Sequence, residues 1–513
     1  MAFRVYKYLV DKNSARSESK IILYRSIGIF LLFALTVYIV YYAPEGVDKL
    51  FCASLFVIFW YSKSNYFWFA FFLIISSYPA GFFTEISGIN IRRLPVYSPI
   101  PSISLSMMDL FLIVALFKAI LRGKKIYLID IFNIKKIALI LPFIVLVSFF
   151  YGITLKLFLN ETVRGLFFYT LFFSFPALLP NKKEVYKFMV MFFPFVLLEL
   201  IAQLYTVNTG IEFGNIFRAG ALESIRDPLT GEIRAIPIGY IIMRLAFVFA
   251  FVLMETKEKI VPKFYALLVI IISLISVIIA ETRSAITMFT FIFVLYFIMI
   301  AKKKPNIILQ LFIVSIIFLI ILDFANIFNL NRIVGSSYDR YVGAVSMQEN
   351  SIKMEDTFDN RVSNRLPILL DAIKKSFFVG YGFSDKYFEV WDPHLGGVIV
   401  GLLQAGIFGY FFYVVFIVNL FRKSFKYIKK LRDDNSFKSH IKVFVLCFFG
   451  YLLVNLTVDP IFVLNTSMLP QDIFIQLIIA TFFINLGIRE HVLKKMELRE
   501  LVGKRNEVAG STV

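Results

Sequence analysis

The stretch Leu50–Phe83, LFCASLFVIFWYSKSNYFWFAFFLIISSYPAGFF, decides how this chain is laid out. It accommodates either one long membrane span or two short ones around Lys63. A single span would leave Arg122-Gly123-Lys124-Lys125 and Lys302-Lys303-Lys304 outside, against the bias that gathers Lys and Arg in cytoplasmic loops. Two spans bring the basic clusters at 4–20, 122–136, 182–187, 257–263, 302–304, 422–442 and 489–505 to one side. Two spans are the consistent reading.

Outward from there, apolar runs close to the roughly 17–25 residues that cross a bilayer recur along the chain. They fall at 22–42, 47–62, 65–83, 106–121, 137–153, 163–179, 188–206, 237–254, 263–280, 284–300, 307–323, 395–420, 441–458 and 470–488. The residues are 59% hydrophobic and the mean hydropathy is +0.77, more apolar surface than a soluble chain of 513 residues could hide. A net charge of +19 in a soluble protein would point to nucleic acid, but here the lysines sit between the apolar runs. The expected fold is therefore all-α and polytopic, with about fourteen transmembrane helices. An even number leaves both termini cytoplasmic, as tails 1–21 and 489–513. Between them lie a bundle over 22–323 with external loops 84–105 and 207–236, a large external loop or lid at 324–393, and C-terminal spans over 394–488. Cys52 and Cys447 both lie inside apolar runs, which argues against a disulfide framework or a thiolate metal site.

The external segments carry arginine where the cytoplasmic ones favour lysine: Arg92, Arg93, Arg218, Arg226, Arg234, Arg332, Arg340, Arg361 and Arg365. Guanidinium forks suit phosphate or carboxylate, although loop solvation and ion pairing would use the same residues. Within the lid, Asn364 caps an expected helix with Pro367 in its first turn. Leu366, Leu369, Leu370, Ile373 and Phe377 form its apolar stripe, and Gly380 follows its end. Such a helix would lie along the membrane surface and cover a site beneath it.

One imidazole faces outward in this topology. His440 and His491 fall in basic cytoplasmic segments, whereas His394 follows Asp392-Pro393 at the head of the span beginning near 395. The positive end of a helix favours the neutral ring, which can accept a proton. Gly396 and Gly397 remove side chains where a hydroxyl-bearing substrate would approach. The competing reading makes His394 an interfacial anchor, and for Gly401, Gly406 and Gly409 helix packing is the better account. Arg283, in Glu281-Thr282-Arg283-Ser284, is pinned at a hairpin between two spans, where it would either present a fork to phosphate or pair with Glu281. Glu199, Arg244 and Asp323 are polar residues within or at the end of spans, and such residues default to functional hypotheses. Arg244 lies about two turns in from the outer side. No Walker A, GxSxG or dinucleotide fingerprint occurs, so an outer-face reaction needs an already activated substrate. No metal site is expected, since Glu355, Asp356 and Asp359 lack EF-hand spacing.

The stretch Arg361–Tyr410 resembles the C-terminal signature of the O-antigen ligase and O-antigen polymerase superfamily. The resemblance rests on Arg365, an amphipathic helix over Ile368–Phe377, Gly380-Tyr381-Gly382, His394, and Gly406-Ile407-Phe408-Gly409. Thr282-Arg283-Ser284-Ala285 is similar to the family's Ser-Arg hairpin, with Thr in place of Ser. Leu395 stands where the family often has Asn. The resemblance runs from about Ala280 to Tyr410. It implies an integral membrane glycosyltransferase of the bacterial inner membrane that uses an undecaprenyl-pyrophosphate glycan on the periplasmic face. His394 would be the general base, and Arg283, Arg365, Arg218 and Arg244 would hold the pyrophosphate in place of a metal, with no cofactor. Partners would be lipid-linked oligosaccharide donor and acceptor, membrane lipids and a chain-length regulator. Polymerase, ligase and glycolipid flippase all stay open. A flippase would show paired repeats and midplane charges, and the lid length leans towards polymerase.

The topology is directly testable. In a background lacking Cys52 and Cys447, single cysteines at 283, 365 and 394 should react with an impermeant reagent from outside. Cysteines at 303 and 430 should react only once the cytoplasmic side is opened. Labelling of position 394 from the cytoplasmic side alone would overturn the arrangement.

Overall fold

A computed structural model describes residues 2–44, 46–77, 95–100, 103–124, 128–132, 140–154, 167–210, 235, 239–258, 260–280, 283–301, 366–390, 397–431, 436–455 and 473–490. The architecture is a helical bundle. Helices α1 (Ala2–Tyr42), α2 (Val47–Tyr61) and α3 (Asn65–Ser77) are followed by a small antiparallel hairpin, β1 (Pro95–Ile100) with β2 (Ile103–Ser106). The all-α expectation holds for the bundle, and this small hairpin is an addition to it: part of the expected external loop 84–105 pairs with itself. It leads straight into α4 (Met107–Arg122), which opens on a buried capping box in which Asp109 N–H donates to Ser106 Oγ and Ser106 N–H to the Asp109 carboxylate.

After α5 (Ile140–Phe150) and α6 (Leu171–Leu178) come α7 (Lys182–Val190), α8 (Phe193–Thr209), α9 (Tyr240–Glu255), α10 (Lys263–Ile279) and α11 (Arg283–Ala301). Helix α9 is the centre of the core. Apart from Arg244, every residue of Ile242–Met254 is buried, against α8, α10, α7 and α15 (Ser436–Asn455). A last helix, α16 (Ile473–Glu490), closes the described chain.

Every expected span except 307–323, which lies outside the described residues, coincides with at least part of a described helix. By length and composition, three described helices are long and apolar enough to cross a membrane: Glu18–Val40, Lys182–Thr209 and Ile473–Glu490. A fourth qualifies if the bent pair Gly401–Phe412 and Val414–Lys430 is one span. The segments Asn65–Ser77, Lys263–Ile279 and Ala285–Met299 are apolar but shorter.

The deciding stretch does break. Residues 62–64 interrupt the helix, and the freed groups are met by a buried cation. Lys118 Nζ donates to the Phe59 carbonyl (2.6 Å), the Ser62 carbonyl (2.8 Å) and Asn65 Oδ1 (2.7 Å), which uses all three of its protons. Asn65 Nδ2 in turn donates to the Leu178 carbonyl (3.0 Å), so one ammonium ties together the ends of α2, α3, α4 and α6. Elsewhere, Lys187 pairs with Glu18 (2.7 Å) and Lys182 with Glu258 (3.1 Å). At the opposite end, Gln203 Nε2 donates to the carbonyls of Ala235 and Ser276. Each of these contacts joins helix ends that the parity argument puts on the same face.

Replacing Lys118 by Met keeps the apolar stem but removes three hydrogen bonds, from the buried Phe59 carbonyl, the half-buried Ser62 carbonyl and Asn65, a loss of about 1–3 kcal/mol. The thermal midpoint of the purified protein in detergent should fall clearly. The same change at the exposed Arg122, which donates to the Trp60 carbonyl, should move it much less. Equal midpoints for the two variants would refute the stapling role.

Candidate functional site

The lid-side elements are α12 (Leu366–Lys375), α13 (Asp385–Val390) and α14 (Gly397–Lys430). Helix α12 forms where the sequence placed it, but its buried face differs in detail. Leu369, Ala372 and Ile373 are buried with Tyr381, Tyr387 and Leu403, whereas Leu370 and Phe377 are exposed. The reason is that the stripe packs on the chain that follows it rather than on a flat apolar surface. Gly380 N–H donates to the Ser376 carbonyl (2.7 Å) and Gly380 takes φ +69°, ending the turn as a glycine stop should.

The next residues do something the sequence did not announce. Helix α14 is broken at Gly406, whose φ of +61° and ψ of −174° are open essentially to glycine alone. In an unbroken helix the N–H groups of Ile407 and Phe408 would donate to the carbonyls of Leu403 and Gln404. Here they donate to Phe377 (2.8 Å) and Phe378 (3.2 Å) instead. The carbonyls of Leu403 and Gln404 accept from Tyr381 N–H and Gly382 N–H, both at 2.8 Å. Residues 377–382 are thus inserted into the helix break, and the backbone ledger closes. A Cβ on Gly406 would lie 2.5 Å from the Phe378 carbonyl, and one on Gly380 would collide with the Gln404 backbone.

A third element locks this insert. Ser148, near the end of α5, accepts from Phe383 N–H (2.6 Å) while donating to the Ile144 carbonyl (2.7 Å). A Cβ on Gly382 would collide with that hydroxyl, and the Gly152 carbonyl accepts from Asp385 N–H (3.1 Å). Tyr151 packs edge-on against Tyr381, with centroids 4.8 Å apart, and Lys386 lies 5.7 Å over the Tyr151 ring. On α12, Lys375 pairs with Asp371 (2.7 Å), and that hydrogen bond holds its ammonium above the usual lysine range.

Of the expected site residues, His394, Gly396, Arg365 and Arg218 lie outside the described residues. Gly397 opens α14 and Arg283 opens α11. Arg244 is half-buried on α9, with its guanidinium carbon 4.7 Å over the Tyr240 ring and 5.5 Å over that of Tyr451. Phe289, less than two turns into α11 from Arg283, packs on Tyr240 and on Phe247 (centroids 4.4 Å apart), so the helices that carry Arg244 and Arg283 are neighbours. Glu199 is fully buried on α8, and Asp323 lies outside the described residues. His440, placed by the sequence in a basic cytoplasmic segment, is wholly buried there against Tyr186, Phe437 and Phe483. His491 lies outside the described residues. Ser148, Tyr451 and Gln476 were not singled out from sequence. Each is a single polar group inside an apolar run, and only its distant partner gives it meaning.

The bundle and the interrupted helix define a membrane protein whose signature glycines carry one backbone insertion. Residues 268–414 match the family model described as O-Antigen ligase. Over that stretch the chain is similar to the O-antigen polymerase and ligase superfamily, a likeness that points to a glycosyl-transfer type of membrane enzyme. No curated protein matches the chain.

Alanine at Gly406 must occupy a conformation that costs a residue with a Cβ about 1–3 kcal/mol, before any clash with the Phe378 carbonyl. Gly406→Ala should lower the thermal midpoint and open Tyr381 and Gly382 amides to hydrogen exchange. Gly401→Ala should do neither, because its Cβ would meet only the Tyr410 ring, at 3.3 Å. Unchanged exchange at 381 and 382 would show that the inserted segment does not depend on the break.

Proposed function

We propose that this chain joins undecaprenyl-pyrophosphate-linked oligosaccharide repeat units on the periplasmic face of a bacterial cytoplasmic membrane, with both termini cytoplasmic. The observation that carries the reading is the matched segment 268–414, which contains both Arg283 and His394. In this mechanism His394 takes the proton from the acceptor hydroxyl as that oxygen attacks the anomeric carbon of the donor. The glycosidic bond forms as the bond to the donor pyrophosphate breaks. Arg283, with Arg244, Arg365 and Arg218, neutralises the charge that builds on the departing pyrophosphate, and no metal or other cofactor is needed. Gly396 and Gly397 leave room for the acceptor. The insertion of 377–382 into the break at Gly406 supports the reading, because it fixes the chain on both sides of the segment 391–396 that contains His394. A chain-length regulator is a natural partner for such a polymerase.

The second reading is a ligase that transfers the finished glycan to lipid A core or to protein, and the description of the matched family favours it. Purified protein given only undecaprenyl-pyrophosphate repeat units, with EDTA present, separates the two. A polymerase builds a ladder of products, and His394→Ala abolishes it by more than about a hundredfold, the scale of a positioned base. A ladder of normal length from His394→Ala would remove the histidine from the chemistry. Product formed only when lipid A core is added, one glycan per acceptor, would make the chain a ligase.

A further inference from the structure

Helix α14 continues past the apolar part of its own sequence, and over Val414–Lys430 its two faces differ sharply. One face is closed. Phe416, Leu420 and Ser424 are buried, and Ile417, Tyr427 and Ile428 pack against the core. The other face is open. Val414, Val415 and Val418 are exposed, and one turn further on the same side Arg422, Phe425, Lys426, Lys429 and Lys430 are exposed as well. Steps of three and four residues keep Val415, Val418, Arg422, Phe425 and Lys429 in one line down the helix. From Gly397 to Arg432 the chain contains no Asp or Glu. The ion pairs found among the described residues, Lys182–Glu258, Lys187–Glu18 and Lys375–Asp371, use none of the exposed cations of α14.

The continuity of that line indicates what covers it. An open valine face on a membrane helix meets lipid chains, and Arg422 stands only about 6 Å further along the axis than Val418. A lipid whose chains lie on the valines therefore brings its headgroup to Arg422, Lys426 and Lys429. Cations with no carboxylate nearby call for an anion. A zwitterionic headgroup carries its own cation beside its phosphate, so a headgroup with net negative charge complements the line better. Phe425, with 53% of its surface exposed, stands among these cations, and an aromatic ring flanked by Lys and Arg suits the boundary between headgroups and chains. We propose that Arg422, Phe425, Lys426 and Lys429 form a docking surface for anionic phospholipid, at the leaflet where the lysine distribution puts the cytoplasm. This surface goes beyond the transfer reading and holds for a polymerase and a ligase alike.

The test places a reporter inside the line. In full-length protein reconstituted in phosphatidylcholine bilayers, Phe425→Trp adds emission to that of Trp60, Trp68 and Trp391, and a brominated lipid quenches only what it touches. Measured on the added emission, brominated phosphatidylglycerol should bind at least about fivefold better than brominated phosphatidylcholine, the scale of one cation at a membrane surface. High salt should shrink that ratio. Replacing Arg422, Lys426 and Lys429 together by Gln should bring it to about one, whereas Arg422→Lys with Lys426→Arg and Lys429→Arg should preserve it. The exposed lysines of α12 provide a control of matched chemistry: Lys374→Gln with Lys375→Gln should leave the ratio unchanged. Glycan transfer has no part in the readout, so this surface and the transfer reading fail or stand separately. Equal quenching by the two lipids in Phe425→Trp, or an unchanged ratio after the three Gln replacements, would overturn the proposal. So would added emission that neither lipid quenches, because protein, such as a second copy of this chain, would then cover the line.

Discussion

Inside an apolar bundle, a broken helix exposes backbone groups that only protein can satisfy, and that constraint organises this molecule. At residues 62–64 the answer is the Lys118 ammonium, saturated by two carbonyls and an amide. At Gly406 the answer is a second stretch of chain, which takes over two donors and two acceptors of the helix. At the end of α5 it is the Ser148 hydroxyl and the Gly152 carbonyl, which receive the amides of Phe383 and Asp385. Each interruption thereby becomes a junction between elements far apart in sequence.

The junction at Gly406 matters most for function. It converts a loose pattern of glycines into a fixed relation between α12, α14 and α5, and the chain containing His394 runs between two anchored ends. At this helix break both glycines are packed backbone to backbone without room for a side chain. The proton-accepting role proposed for His394 would need such fixed surroundings to hold its geometry to a fraction of an ångström. The Arg244 cluster follows the same logic with side chains instead of backbone. Two aromatic rings cover a cation in the apolar bundle, and one of them, Tyr451, accepts a hydrogen bond from Gln476.

Much was legible in the sequence. The apolar runs, the lysines between them and the interruption at Lys63 carry the helical layout, because hydrophobicity and the positive-inside bias are local properties. The helix over Leu366–Lys375 and its glycine stop were readable from spacing and turn chemistry. Arg244 and Arg283 stood out because charges in apolar runs are rare, and their helices are indeed adjacent.

What the sequence left open depends on partners that are distant in the chain. Nothing local distinguishes Lys118 from any other lysine near a helix end, or tells that Leu370 is exposed while Ala372 is buried. The hairpin at Pro95–Ser106 sat within an expected loop, and nothing local showed that Tyr186 and Phe483 would enclose His440. The sequence by itself determined a helical membrane protein with its cations sorted by side and a signature of glycines around one histidine. Only the tertiary structure decided that Gly380 and Gly406 meet, and that Tyr451 covers Arg244. Long-range backbone satisfaction and aromatic stacking leave no periodic trace in the chain that makes them.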